Sequence, residues 1–261
     1  MLVAMTTRDW TGCFRASASV AAFLWLSAPA LAQTPAAPPP PPPKIWTVSA
    51  SAGLAFTQGN TDTSSVNLGY NVVYDPQRKN VVKSEGLFLR STDQGAVTAN
   101  KVALSGRDEY KLTERAFVFG QLAYLRDPFK EIDYLIAPTG GIGYKVIMLP
   151  NTELSVDGGL GVAWEKNTGK DVDTSGAVTL GDKFSQKLSP TATFTQSFAA
   201  LWKTEDFGDA LYVNRLGLAA AISLHTQLKV EWLDTYKRKP PSPNVKPNDM
   251  TLLFSIVFKN G

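Results

Sequence analysis

Trp46-Thr47-Val48-Ser49-Ala50-Ser51-Ala52-Gly53-Leu54-Ala55-Phe56-Thr57 is the stretch whose reading decides the fold. Trp46, Val48, Ala50, Ala52, Leu54 and Phe56 fall on one face of an extended strand. Thr47, Ser49, Ser51, Gly53 and Thr57 fall on the other. A period of two marks a strand with one apolar and one polar face. Twelve residues of it exceed an ordinary strand, and a tilted strand needs about 9–11 residues to cross a bilayer. Two architectures fit. In a soluble sandwich the apolar face packs on a core; in a membrane barrel it meets lipid and the polar face looks into a lumen. The rest of the chain decides between them.

Upstream, residues 1–32 read as a secretory signal peptide. Arg8 and Arg15 precede an apolar run from Ala16 to Leu26, and Ala30-Leu31-Ala32 is a small-x-small cleavage site. The run is too short for a spanning helix. The lone cysteine, Cys13, lies inside this leader, so the mature chain has neither a disulfide nor a thiol nucleophile. Residues 33–45 form a Pro-rich linker with seven prolines between Gln33 and Pro43, a stiff polyproline spacer. Without the leader's three charged residues the chain carries 24 basic and 22 acidic side chains. That balance argues against a nucleic-acid partner.

Downstream no helical period survives, and twelve strand-like segments follow one another. They are 46–57, 65–74, 81–91, 98–110, 115–126, 134–148, 152–165, 182–188, 191–202, 210–222, 226–236 and 249–258. The third has muddled alternation, read as a bulge near Gly86. Connections after even-numbered strands are short, as at Leu149–Asn151 and Ser189-Pro190. Those after odd-numbered strands read as longer and polar, as at Lys166–Gly181 and Lys237–Asn248. Short turns on one side and long loops on the other belong to an all-β, up-and-down antiparallel transmembrane β-barrel of about twelve strands, spanning residues 46–258. Trp46, Tyr74, Tyr110 and Phe258 are expected at one rim. Phe56, Tyr124, Tyr134, Trp164, Trp202, Tyr212 and Tyr236 are expected at the other.

Trp46 with Gly59-Asn60-Thr61, Asp127-Pro128-Phe129, Gly141-Ile142-Gly143-Tyr144 and Asp249-Met250-Thr251, in this order and spacing, stand out along these segments. On these motifs the chain resembles the family of YdiY-like proteins described as salt-induced outer-membrane proteins, domain of unknown function 481. The resemblance implies an outer-membrane barrel with no established activity and no catalytic residues to carry over. Phe258 is followed by Lys259-Asn260-Gly261, a departure from barrels that end on an aromatic residue.

The polar faces place Lys101, Arg107, Glu153, Asp157, Arg215, Lys229 and Glu231 in the lumen, with Lys83, Glu85, Lys183 and Lys187 beside them. Mixed signs suit a weakly selective pore or a plugged barrel whose charges pair across the interior. Gly141 is expected opposite Gly159 on the lumen face, where the lack of side chains allows tight coiling, the favoured use, or lets another element press against the wall. His225, the only histidine, falls in a turn and is a poor catalytic base. One histidine and no mature cysteine make no zinc site, and no cofactor is expected. The acidic tips Asp171–Asp173 and Glu205–Asp209 read as solvated. Lys237, Arg238, Lys239 and Lys246 lie in a proline-rich outer loop and are expected to face lipopolysaccharide. The expected protein is therefore a monomeric outer-membrane barrel, a narrow pore or an envelope-integrity protein. Its partners are outer-membrane lipids and, during biogenesis, the barrel-assembly machinery. An outer-membrane lipid hydrolase and a soluble periplasmic ligand-binding barrel are the alternatives.

Overall fold

The computed structural model describes residues 44–58, 63–93 and 96–260. The signal peptide, nearly all of the linker and the Gly59-Asn60-Thr61 motif lie outside the described residues. Twelve strands form one closed antiparallel barrel. They are β1 (Trp46–Gln58), β2 (Thr63–Tyr74), β3 (Asn80–Asp93), β4 (Ala96–Lys111), β5 (Ala116–Asp127), β6 (Ile132–Leu149), β7 (Thr152–Asn167), β8 (Val172–Lys187), β9 (Ala192–Lys203), β10 (Ala210–Ala221), β11 (Thr226–Lys237) and β12 (Asn248–Lys259). Each strand pairs with its neighbours in sequence, and β1 closes on β12 from Ser49↔Lys259 to Gln58↔Met250. Closure leaves no sheet edge, so backbone groups are satisfied without water.

Alternation sorts the side chains. Leu54, Leu68, Ile142, Leu160, Leu218 and Leu228 point outward and are exposed, Ile142 and Leu160 at nearly 70 % (69 % and 68 %). Asn67, Leu89, Arg107, Thr139, Ala163 and Thr235 point inward and are buried. A soluble barrel would reverse this pattern, because a water-facing exterior would carry the polar set. Aromatic side chains gather at both ends. Trp46 packs on Tyr74 with centroids 4.5 Å apart. At the opposite end Phe198, Trp202, Tyr212 and Tyr236 form one cluster, in which the Trp202 indole donates to the Tyr212 hydroxyl at 3.0 Å. Such girdles suit the headgroup level of a bilayer.

Three local expectations need correction. The eighth strand does not begin at Asp182. β8 starts at Val172, and its connection to β7 shrinks to 168–171. Its inward positions, Ser175, Ala177 and Thr179, are small, and both Ser175 and Ala177 are buried. Small residues give little hydropathy contrast, which hid the alternation. Second, Gly86 is in regular register, and the irregularity lies between Ser91 and Thr92. A Cβ on Gly86 would come 2.3 Å from the Tyr70 ring, so the glycine makes room for that ring. Third, the β3–β4 connection is as short as any turn. Only 204–209 and 238–247 are long outer loops among the described connections.

The barrel is flattened. Twelve strands spaced about 4.8 Å apart and tilted about 40° would enclose a round cylinder roughly 24 Å across between backbones. Lys101 on β4 nevertheless donates to Thr235 Oγ1 on β11 at 3.1 Å. Those strands are five places apart around the ring. Two such side chains bridge only about half of the round diameter, so these walls stand closer than a circle allows.

Candidate functional site

The lumen is layered. Next to the end that carries the short turns lies a charged layer centred on Arg107 of β4. Its Nε donates to Glu109 Oε1 at 2.9 Å, Nη1 to Gln121 Oε1 at 3.0 Å and Nη2 to Asp157 Oδ2 at 3.0 Å. Lys83 Nζ reaches Glu109 at 2.7 Å. The guanidinium lies 3.7 Å over the Phe119 ring, a cation–π contact. Glycines make that possible. Gly141 and Gly159 face each other across β6 and β7. A Cβ on Gly143 would come 2.2 Å from the Phe117 ring, and one on Gly159 would come 3.1 Å from Phe119. The bare glycine wall is therefore the seat of two aromatic rings from β5, which in turn support Arg107. Lys229 pairs with Glu231 on β11, and Glu85 lies among Lys183, Arg215 and Lys229.

Above this layer the lumen turns apolar. Leu87 and Leu89 of β3 meet Leu233 of β11 and Leu253 of β12. Ile132, Leu135, Ala163, Ala177 and Leu211 form a second cluster, with Leu125, Leu201 and Val213 against it. A cavity of about 250 Å³ spans the boundary between the layers. Leu87, Leu125, Leu135 and Leu201 line its apolar part, and Glu85, Arg107, Asp157, Lys183 and Arg215 its charged part. A smaller polar cavity of about 150 Å³ adjoins it, lined by Ser51, Asn71, Glu85, Arg215, Lys229 and Glu231.

Ion pairs and one loop cross the outer mouth. Lys203 Nζ contacts Glu165 at 2.7 Å and Asp209 at 2.9 Å, and it also holds Asp173. Lys237 Nζ contacts Glu165 at 2.9 Å and Asp209 at 3.1 Å. The Glu165 side chain is only 1 % exposed. Glu165, Asp173 and Asp209 lie close enough together to ligate one cation, but the two ammonium groups already stand among them. Over this cage runs the loop 238–247. Lys130 Nζ donates to Pro247 O at 3.1 Å and pairs with Asp249 at 3.2 Å. Lys170 Nζ donates to Pro241 O at 2.6 Å, and Ser242 Oγ donates to Glu131 Oε1 at 2.8 Å. Val245 is buried beneath. The loop joins β11 to β12, and its anchors Lys130 and Glu131 lie between β5 and β6, on the opposite wall. The loop is a strap across the mouth.

Charges at the mouth respond to these contacts. Burial pushes the Asp209 carboxyl up, but Lys237 and Lys203 outweigh burial and hold it below the usual aspartate range. Burial pushes the Lys130 ammonium down, and Asp249 offsets only part of that. Hydrogen bonds from Lys239 and from the Gly208 N–H lower the exposed Asp206.

Each residue singled out from the sequence now has a place. Lys101 pairs with Asp127 at 3.4 Å near the apolar layer. Arg107 and Asp157 are bonded to each other. Arg215, Lys229 and Glu231 line the smaller cavity. Glu153 shares the parity of Asp157 but is exposed at the start of β7 and lines neither cavity. Lys237 is not a glycolipid-facing loop residue. It ends β11 on an inward position and is buried at 5 % exposure, because the alternation of Leu233 and Thr235 continues through it. Arg238 and Lys246 are exposed, and Lys239 pairs with Asp206. Asp173 and Asp209, read as solvated tips, belong to the cage. His225 is exposed in the β10–β11 turn, where its backbone N–H bonds Ser223 Oγ at 3.2 Å. Lys130, Lys203 and the inward leucines were missed. For Leu87, Leu89 and Lys203 the signal was present as strand parity.

The family described as "Protein of unknown function, DUF481" has a model that matches residues 50–259. The chain belongs to that family. It is 24 % identical over 213 residues to "Uncharacterized protein YdiY" of Escherichia coli (strain K12), covering 80 % of this chain and 81 % of that protein. Among solved structures it is similar to the NanC porin, with a TM-score of 0.56 at 10 % identity, covering 82 % of this chain and all (100 %) of the porin. It is also similar to the translocator domain of the autotransporter NalP from Neisseria meningitidis, with a TM-score of 0.49 at 12 % identity, over 83 % of this chain and 89 % of that domain. The NanC likeness is one of fold: a closed antiparallel barrel.

Proposed function

We propose that the protein is a narrow outer-membrane pore whose outer mouth is shut by the strap and the ion cage. The observation that carries this reading is the cavity of about 250 Å³ in a lumen whose outer end is crossed by ion-paired side chains and the loop 238–247. Strand pairing does not close the mouth, so opening needs no backbone ladder to break. The outward apolar belt, its two aromatic rims and the porin-like fold support an outer-membrane location. The exposed turn position of His225 supports a role without catalysis. The outer rim then borders lipopolysaccharide, with Arg238, Lys239 and Lys246 as the cations on that side.

Planar-bilayer recording of purified protein tests the pore. The expected result is small, infrequent conductance steps with weak ion selectivity, since most lumen charges are paired with their opposites. Lys237→Met should raise the frequency of opening. Silence in both proteins would overturn the pore and leave a plugged barrel that serves envelope integrity.

A further inference from the structure

The charge left over in the lumen points to a ligand. Arg107, Lys83, Glu109 and Asp157 neutralise one another, as do Lys101 with Asp127 and Lys229 with Glu231. Glu85, Lys183 and Arg215 remain on the inward side of the cavity wall; Asp182 also borders the cavity, but its register opposite Val156 and Phe198 puts it on the outward face. Among the described residues neither Lys183 nor Arg215 makes an ion pair or a side-chain hydrogen bond. Glu85 faces both and can offset only one of them. The wall therefore carries one surplus positive charge and a guanidinium with free donors. Directly above it the lining is Leu87, Leu125, Leu135, Leu201 and Leu211. Water gains little from leucines, whereas an apolar group enters such a site favourably.

We propose that this cavity binds a small amphipathic monoanion, an organic carboxylate with an apolar tail, its head on Arg215 and Lys183 and its tail among the leucines. A guanidinium pairs with a carboxylate through two parallel N–H···O bonds, which an uncharged or cationic head cannot form. The cavity size suits one small molecule, below the usual range for larger ligands. This inference rests on the pore reading only for its biological sense, because binding is measurable without conduction.

The test uses the folded barrel in lipid nanodiscs and fluorine NMR of 4-fluorobenzoate. Its controls are 4-fluorobenzyl alcohol, 4-fluorobenzylamine and fluoroacetate, which lacks the tail. 4-Fluorobenzoate should bind, and none of the three controls should displace it. Arg215→Gln and Lys183→Gln should each weaken binding about tenfold, the worth of one lost charge-assisted hydrogen bond. Lys183 is exposed to the lumen, so its variant keeps the barrel intact, which heat-modifiable gel mobility checks. Displacement by the amine or the alcohol overturns the proposal. So does unchanged affinity in the double variant, or no binding by folded protein at millimolar 4-fluorobenzoate. Conduction without binding would sink this site and leave the pore; binding without conduction would do the reverse.

Discussion

Lys237→Met should loosen the outer mouth at a measurable cost. The side chain is 6 % exposed and touches Glu165 at 2.9 Å and Asp209 at 3.1 Å. Removing it leaves Lys203 alone among Glu165, Asp173 and Asp209, so the cage goes from one excess negative charge to two. Taking one partner from a buried ion pair costs about 3–5 kcal/mol. Lys203 still contacts both orphaned carboxylates, and Asp173 is half exposed, so the lower end applies, about 3 kcal/mol. Adding Glu165→Gln restores the original excess charge. The double variant should therefore recover about 2 kcal/mol of that loss, a coupling within the range of contacting residues. Urea unfolding in lipid vesicles, followed by tryptophan fluorescence, reads all three proteins. A loss under about 1 kcal/mol for Lys237→Met, with additive effects in the double variant, would mean that the cage is solvated and closes nothing.

Acid should act on the same cage. The folded-state pKa of Asp209 lies below its unfolded value, so its contribution is present above the unfolded pKa and is lost as pH falls through the lower, folded one. Opening frequency in bilayers should rise below about pH 4, and a flat profile there would count against the cage as the closure. Leu160→Arg should cost about 2–4 kcal/mol in the vesicle assay, because Leu160 faces outward at 68 % exposure; a neutral result would reverse the assignment of faces. Replacing Arg238, Lys239 and Lys246 with Gln should weaken binding to purified lipopolysaccharide, most clearly at low salt, and equal affinity at low salt would remove that partner. Lys237 is left intact in this last test because it points inward.

Strand number, antiparallel order and the outward faces were legible because most strands alternate an apolar outward face with a more polar inward one. The boundaries of β8 were not, since Ser175, Ala177 and Thr179 contrast poorly with their neighbours. The muddle in β3 had a different origin: Leu87 and Leu89 occupy lumen positions that a water-filled pore would make polar, so two apolar faces overlapped in one segment. Arg107 and Asp157 were assigned to one interior surface, but their bond depends on β4 and β7 lying near each other, which no local pattern states. The cage was hidden for the same reason. Lys203, Lys237, Glu165 and Asp209 come from separate strands and one loop, and each alone reads as a charged strand end. Only the closed, flattened ring brings them together.

That flattening has a consequence for how wide the lumen can be. Twelve hydrogen-bonded strands form a hoop whose perimeter cannot stretch. A hoop of fixed perimeter loses area as it departs from a circle, and recovers that area when it rounds. Contacts such as Lys101 to Thr235, and the strap from 238–247 to Lys130 and Glu131, hold two walls together across the short axis. Releasing those few ties lets the same strands, with every backbone bond intact, enclose a wider bore. The aperture is then set by side-chain tethers, and strand count fixes only its upper limit.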